Sequence, residues 1–209
     1  MIRVLVADDV PIVREGFAGL IRAEPDMEVC GTAATAAAVV ARAEETQPRV
    51  IILGFMSTGR GGLEALQEVR RSGPGPRVLV FNSLQDDSLA VRAIRAGADG
   101  YLARGAEAAE ITHAIRETAA GRRFTSPSAG VHLAAVLAGE AARPLHEELS
   151  DREFQVLRQL SEGFTLTEIA ERLSLSVKTV STYRARVLAK LGVRTTAGLI
   201  RYTLEQHLV

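Results

Sequence analysis

Two groups of residues in this chain carry side chains suited to chemistry. Between Ser176 and Arg194 stand five basic residues (Lys178, Arg184, Arg186, Lys190 and Arg194) and no acidic one. Thr179, Ser181 and Thr182 are interleaved with them. Small hydroxyl side chains can approach base edges in a duplex groove, and Lys and Arg neutralise phosphates. The second group is Asp8-Asp9, two adjacent carboxylates that close an apolar run, Ile2 to Ala7.

The elements that must position the basic group are legible as helices. Thr165 is followed three residues later by Glu168, the spacing at which hydroxyl and carboxylate satisfy each other's orphan backbone donors. Ile169, Ala170 and Leu173 then share an apolar face. A short break at 174–176 precedes a second helix whose N-cap is Ser176. Val177, Val180, Val187, Leu188 and Leu191 form its inward stripe. Two helices joined by a short turn, the second basic and polar, make a helix-turn-helix, which suits the DNA major groove. An ordinary amphipathic hairpin with a solvated basic face is the alternative reading. Ser150 and Glu153 repeat the capping spacing upstream, before Phe154, Val156, Leu157 and Leu160. A last helix, from about Thr196, carries Leu199, Ile200, Thr203 and Leu204.

The stretch LSDREFQVLRQLSEGFTLTEIAERLSLSVKTVSTYRARVLAKLGV resembles the DNA-binding domain of LuxR-type (NarL/FixJ-type) regulators. The LSDRE start, the EG turn, the EIAERL helix, the KTVSTY run and the KLGV end carry the resemblance across roughly the last sixty residues. It implies that Ser181, Thr182 and Ala185 face bases. Lys178, Thr179, Tyr183, Arg184 and Arg186 are implied phosphate or groove-edge contacts, while Lys190 lies late on the helix and is the weakest of the set. The last helix would form a dimer contact or merely close the small core.

The front half alternates strands and helices. Strands are expected at 2–7, 27–32, 50–53, 77–81 and 100–103, and helices from Pro11 and at 36–45, 63–71, 86–95 and 106–120. Ile12, Val13, Phe17, Leu20 and Ile21 set the first helix's period. Five strands alternating with five helices imply a doubly wound parallel sheet, an α/β domain ahead of an all-α one. Its functional crevice lies beyond the strand C-termini, where Asp8, Asp9, Gly54, Asn82 and Arg104 fall.

Residues 1 to about 120 resemble a response-regulator receiver domain, through VLVADDVPIVREGF, the GLEAL helix and AIRAGADGYL. The resemblance implies that Asp8 and Asp9 match the acids that hold Mg²⁺, and that Tyr101 matches an aromatic switch position. The phosphoacceptor Asp, however, is replaced by Gly54. The hydroxyl residue after the fourth strand falls on Asn82, the fifth-strand Lys on Arg104, and a Pro on Thr58. Gly54 cannot form an aspartyl phosphate and offers Mg²⁺ no carboxylate. Four departures together point to natural divergence rather than one engineered change. No metal is expected beyond weak Mg²⁺ binding at Asp8 and Asp9, and an ion pair between Arg104 and one of these acids would replace the metal and phosphate network.

The 209 residues, 47% hydrophobic and 24% charged, suit two modest globular domains. These are read as 1–120, a linker with a possible short helix at 121–149, and 150–209. The formal charge is zero, but unevenly spread. Sixteen basic and nineteen acidic residues precede Ser150, and nine and six follow from it onward. An acidic front with a basic rear suits a sensor joined to a nucleic-acid binder. Cys30, the only cysteine, rules out an internal disulfide and reads as a small buried apolar residue. No signal peptide or membrane span is apparent, so the cytoplasm is the expected location. His113, His132, His146 and His207 show no metal-ligand spacing.

The resulting expectation is a homodimeric regulator of transcription that reads an approximately two-fold symmetric site in double-stranded DNA, without aspartyl phosphorylation. An unidentified protein or ligand at the receiver, abundance, or constitutive dimerisation would set its activity. An alternative is an interaction module whose receiver docks a partner protein, DNA binding being secondary. An enzyme is not expected.

Overall fold

The structure is a computed structural model, and it describes residues 1–54, 61–71, 73, 75–82, 88–103, 105–138, 144–206 and 208. The first domain alternates β1 (Ile2–Ala7), α1 (Pro11–Arg22), β2 (Met27–Ala33), α2 (Ala36–Thr46), β3 (Val50–Gly54), α3 (Gly61–Arg71), β4 (Arg77–Phe81), α4 (Ser88–Arg95), β5 (Gly100–Leu102) and α5 (Ala108–Ala119). The expected strands and helices are all present to within about two residues at their described ends. The sheet has six strands rather than five, ordered β2-β1-β3-β4-β5-β6 and parallel throughout.

The additional strand, β6 (Phe124–Thr125), lies within the expected linker. Its two residues are too short to show periodicity. Tertiary pairing makes it, with Gly100 opposite Phe124 and Tyr101 opposite Thr125. The following helix α6 (Pro127–Ala138) starts at a proline, whose fixed φ suits a first helical turn, and it packs against α4.

Both faces of the sheet are covered, so the strands read as nearly continuous apolar runs. Val4, Val6, Val50, Ile52, Leu79 and Leu102 face α1 and α5, where Phe17, Ile21, Ile111 and Ile115 meet them. The alternate residues Leu5, Ala7, Ile51, Leu53, Val78 and Val80 face the other way, toward α2, α3 and α4. Ile12, expected in the apolar stripe of α1, is instead 76% exposed. Cys30 is half-buried, its Sγ 3.6 Å from Thr46 Oγ1.

A 3₁₀ turn at Leu145–Glu148 leads into the helical domain: α7 (Asp151–Ser161), α8 (Leu166–Leu173), α9 (Val177–Lys190) and α10 (Thr196–Glu205). Its core gathers Phe154, Val156, Leu157, Leu160, Ile169, Leu173, Val180, Val187, Leu191 and Leu199. That core is continuous with the α2–α4 side of the first domain. Among the described residues, no helix is long and apolar enough to cross a membrane.

Candidate nucleic-acid interface and receiver pocket

The helical domain is built by local capping before it is built by packing. Ser150 Oγ accepts from Glu153 N at 3.3 Å, and Glu153 Oε2 accepts from Ser150 N at 2.8 Å. Thr165 and Glu168 repeat this box at 3.3 and 2.7 Å. Ser174 ends α8 in the left-handed region, at φ 54°, and turns the chain. Ser176 then caps α9 by accepting from Thr179 N at 3.1 Å. Each cap stabilises its helix by about 1 kcal/mol, and together they fix where α8 stops and α9 starts.

That geometry turns one face of α9 to solvent. Lys178, Ser181, Thr182, Ala185 and Arg186 are exposed, and Thr179, Tyr183 and Arg184 are half-buried. Val177, expected inward, is 44% exposed, because the first turn of α9 projects beyond the core. Thr182 Oγ1 donates back to Lys178 O at 3.0 Å, so the hydroxyl proton is spent within the helix. What Thr182 offers outward is a methyl group and oxygen lone pairs. Tyr183 leans onto the core. Arg184 donates from Nε and Nη2 to Thr196 Oγ1 at 3.1 and 3.0 Å, which ties it to α10. Lys190 turns inward, donating to Glu153 Oε2 at 2.7 Å and to Glu148 O at 3.0 Å. Arg194, left without a role by the sequence, is exposed just past α9.

The receiver pocket follows from strand order. β1 lies between β2 and β3, so the ends of β1 and β3 adjoin at the switch point. Ala7 pairs with Leu53, which sets Asp8 beside Gly54. Asp8 is buried. Its Oδ1 accepts from Val10 N at 2.8 Å, and its carbonyl accepts from Arg14 Nη1 at 2.7 Å. A Cβ on Gly54 would stand 1.8 Å from Asp8 Oδ2 and 2.7 Å from its Cγ. The Asp8 carboxyl therefore rests on the bare α-carbon of Gly54, in space that any larger residue there would need. Burial pushes the Asp8 carboxyl above its usual range, against the hydrogen bond from Val10, and the neighbouring charge of Asp9 adds to the rise.

Across the pocket, Asn82 and Tyr101 are both fully buried. Asn82 Nδ2 donates to Tyr101 Oη at 2.9 Å. Asp8, Gly54, Asn82 and Tyr101 are thus brought to the same end of the sheet, and half-buried Asp9 follows Asp8. Arg104 and Thr58, the first expected to pair with an acid, lie outside the described residues. Among the described residues, no group of three or more His, Cys, Asp or Glu is gathered for a metal ion.

A parallel doubly wound domain with acids at its switch point, followed by a capped helix-turn-helix, defines a receiver joined to a nucleic-acid-binding module. The family comparisons agree in both halves. Residues 4–116 match the response regulator receiver domain, and residues 147–203 match the bacterial regulatory proteins of the luxR family. The chain belongs to the LuxR-type response regulators. It is 38% identical over 211 residues to the transcriptional regulatory protein LiaR of Bacillus subtilis, covering 100% of each chain. It is 35% identical over 210 residues to the DNA-binding transcriptional activator DevR/DosR of Mycobacterium tuberculosis, covering 99% of this chain and 96% of that protein. Its fold matches that of RcsB from Salmonella enterica serovar Typhimurium, solved bound to the promoter rprA with a phosphomimetic. The TM-score there is 0.72 at 22% identity, over 96% of this chain and 97% of that one.

The contact between Asp8 and Gly54 predicts that Gly54→Ala costs about 1–3 kcal/mol, since the new methyl group displaces a buried carboxyl. In an Asp8→Ala background the same change should be near neutral, and a double-mutant cycle by denaturant unfolding measures that coupling. Additive effects would show that the two residues do not compete for space.

Glu153 predicts a pH dependence. Burial raises its proton affinity, but hydrogen bonds from Lys190 and Ser150 outweigh this and hold it below the usual range. A depressed folded value contributes stability above the unfolded value of about 4.3, and the contribution is lost as pH falls through the folded one. Thermal unfolding by circular dichroism should therefore show Glu153→Gln less stable than the parent by about 1.5–3 kcal/mol at pH 7. The difference should shrink as pH falls below about 4 and the parent's carboxylate is also neutralised.

Proposed function

We propose that this response regulator is a regulator of transcription that reads double-stranded DNA through the outward face of α9, and that it does so without aspartyl phosphorylation. The observation that carries the DNA reading is the solvent-facing cluster Lys178, Ser181, Thr182, Ala185 and Arg186 on a helix whose start is fixed by the Ser176 cap. Ser181, Thr182 and Ala185 are small enough for close approach to base edges, and the Thr182 methyl suits an apolar contact with a thymine methyl. Lys178 and Arg186 supply phosphate contacts. Thr179 and Tyr183 reach the groove edge, and Arg184 contributes only by leaving Thr196. The names of LiaR and DevR/DosR point to the same role in transcription. The protein acts as a homodimer on an approximately two-fold symmetric site, one recognition helix per half-site.

Phosphorylation independence rests on Asp8 covering Gly54. Position 54 has no carboxylate to accept a phosphoryl group, and the space beside it is taken. Mg²⁺ fits poorly here as well. It demands near-octahedral oxygen ligands, whereas Asp8 is bonded to Val10 N–H and turned onto Gly54, which offers no carboxylate. In a phosphorylated switch, moving a 1:99 equilibrium to 99:1 requires about 5.5 kcal/mol of differential binding. Here Tyr101 lies buried and accepts a hydrogen bond from Asn82. Abundance, dimerisation, or a protein or ligand at the receiver then sets activity.

The untreated protein should bind fragments of its own promoters in gel-shift titrations. Lys178→Ala should weaken binding to every sequence, with a salt slope shallower by about 1. Unchanged affinity and slope would remove Lys178 from the contact surface. Failure of the parent to bind any duplex would favour the interaction module instead.

A further inference from the structure

The two domains meet through a set of polar contacts that neither the receiver chemistry nor the DNA-binding face uses. On the receiver side stand Glu64 and Gln67 of α3 and Arg92 of α4. Opposite them are His146 of the 3₁₀ turn and the first residues of α7. Arg152 Nε pairs with Glu64 Oε1 at 2.8 Å, both side chains largely buried. Gln67 Nε2 donates to Asp151 Oδ2 at 3.2 Å. The Arg92 side chain is only 8% exposed, and its Nη1 lies 3.5 Å from Asp151 Oδ1. Arg92 Nη2 donates to the carbonyl of His146, and its guanidinium stacks 4.7 Å over the ring of Phe154.

Burial makes these contacts consequential. A guanidinium taken out of water needs its donors matched and its charge offset. Arg92 meets a carboxylate, a carbonyl and an aromatic face on the partner domain, a set no stretch of solvent replaces in the same geometry. Asp151 serves twice, because a carboxylate in the first turn of α7 also favours that helix's positive end. The adjacent Ser150–Glu153 box is held by Lys190 from the end of α9. The start of α7 therefore ties to receiver helices on one side and to the recognition helix on the other. The apolar core runs on beneath it without a break.

We propose that this joint is a positioning device: it holds the helical domain against α3 and α4 in a compact form that keeps the outward face of α9 open. A lock that silenced the protein would cover that face. Here Lys178, Ser181, Thr182, Ala185 and Arg186 are exposed with the joint closed. The joint itself is independent of the DNA reading, and only the consequence for binding rests on it.

The test uses the full chain. Glu64→Arg and Arg152→Glu each set like charges against one another and should open the molecule. Opening would appear as a longer maximum dimension in small-angle X-ray scattering and at least tenfold faster protease cleavage between residues 144 and 149. The charge-swapped double variant Glu64→Arg/Arg152→Glu should return both readings toward the parent, which a folding defect would not do. Single variants as compact and resistant as the parent, or a swap as open as the singles, would overturn the joint. Glu64→Arg leaves every residue of the helical domain intact, so its affinity for promoter DNA should not exceed the parent's. Binding tightened tenfold or more would make the contact an inhibitory lock and overturn the positioning role.

Discussion

A carboxyl group resting on a bare α-carbon is the contact around which the receiver pocket is arranged. Strand order brings the ends of β1 and β3 together, and the chain then supplies an acid on one and glycine on the other. Asp8 fills the gap and is bonded to Val10 N–H as it does so. Its burial raises the cost of its charge, and the neighbouring Asp9 adds to that cost. Asn82 donates to Tyr101 across the same end of the sheet.

The rear domain is organised by a different economy. Its helices are short, and isolated helices of this length are marginal in water. Two capping boxes and a serine N-cap set their boundaries, and a small core of Phe154, Leu157, Ile169, Val180, Val187 and Leu199 sets their angles. Basic residues then divide by task. Lys190 and Arg184 bond within the domain, to Glu153 and to Thr196, whereas Lys178 and Arg186 are exposed to solvent. Sequence counts of basic residues merge these two tasks, and the geometry separates them.

Much of the architecture was legible because both periodicities are strong. The alternation of apolar runs with amphipathic stretches gave the first five strands, and the spacings Ser150–Glu153 and Thr165–Glu168 gave two helix starts. What escaped was set by tertiary contact. β6 exists because two residues pair with Gly100 and Tyr101, and Ile12 and Val177 keep helical spacing while lying at first turns that project from the core. Of the receiver pocket, the sequence shows a glycine at position 54. That a neighbouring acid takes the space depends on β1–β3 adjacency and a rotamer. The expected partner of the acids, Arg104, lies outside the described residues. The interdomain joint was invisible for a related reason, since Glu64, Arg92 and Arg152 look like ordinary surface charges until two domains meet over them.

The most direct test of the account is to incubate the purified full-length protein with Mg²⁺ and a small-molecule acyl phosphate, then to follow intact mass and promoter binding together. The proposed reading predicts no phosphoryl adduct and a binding curve that superimposes on that of untreated protein. An acid-stable or acid-labile phosphoryl adduct near one per chain, with DNA affinity raised tenfold or more, would contradict it.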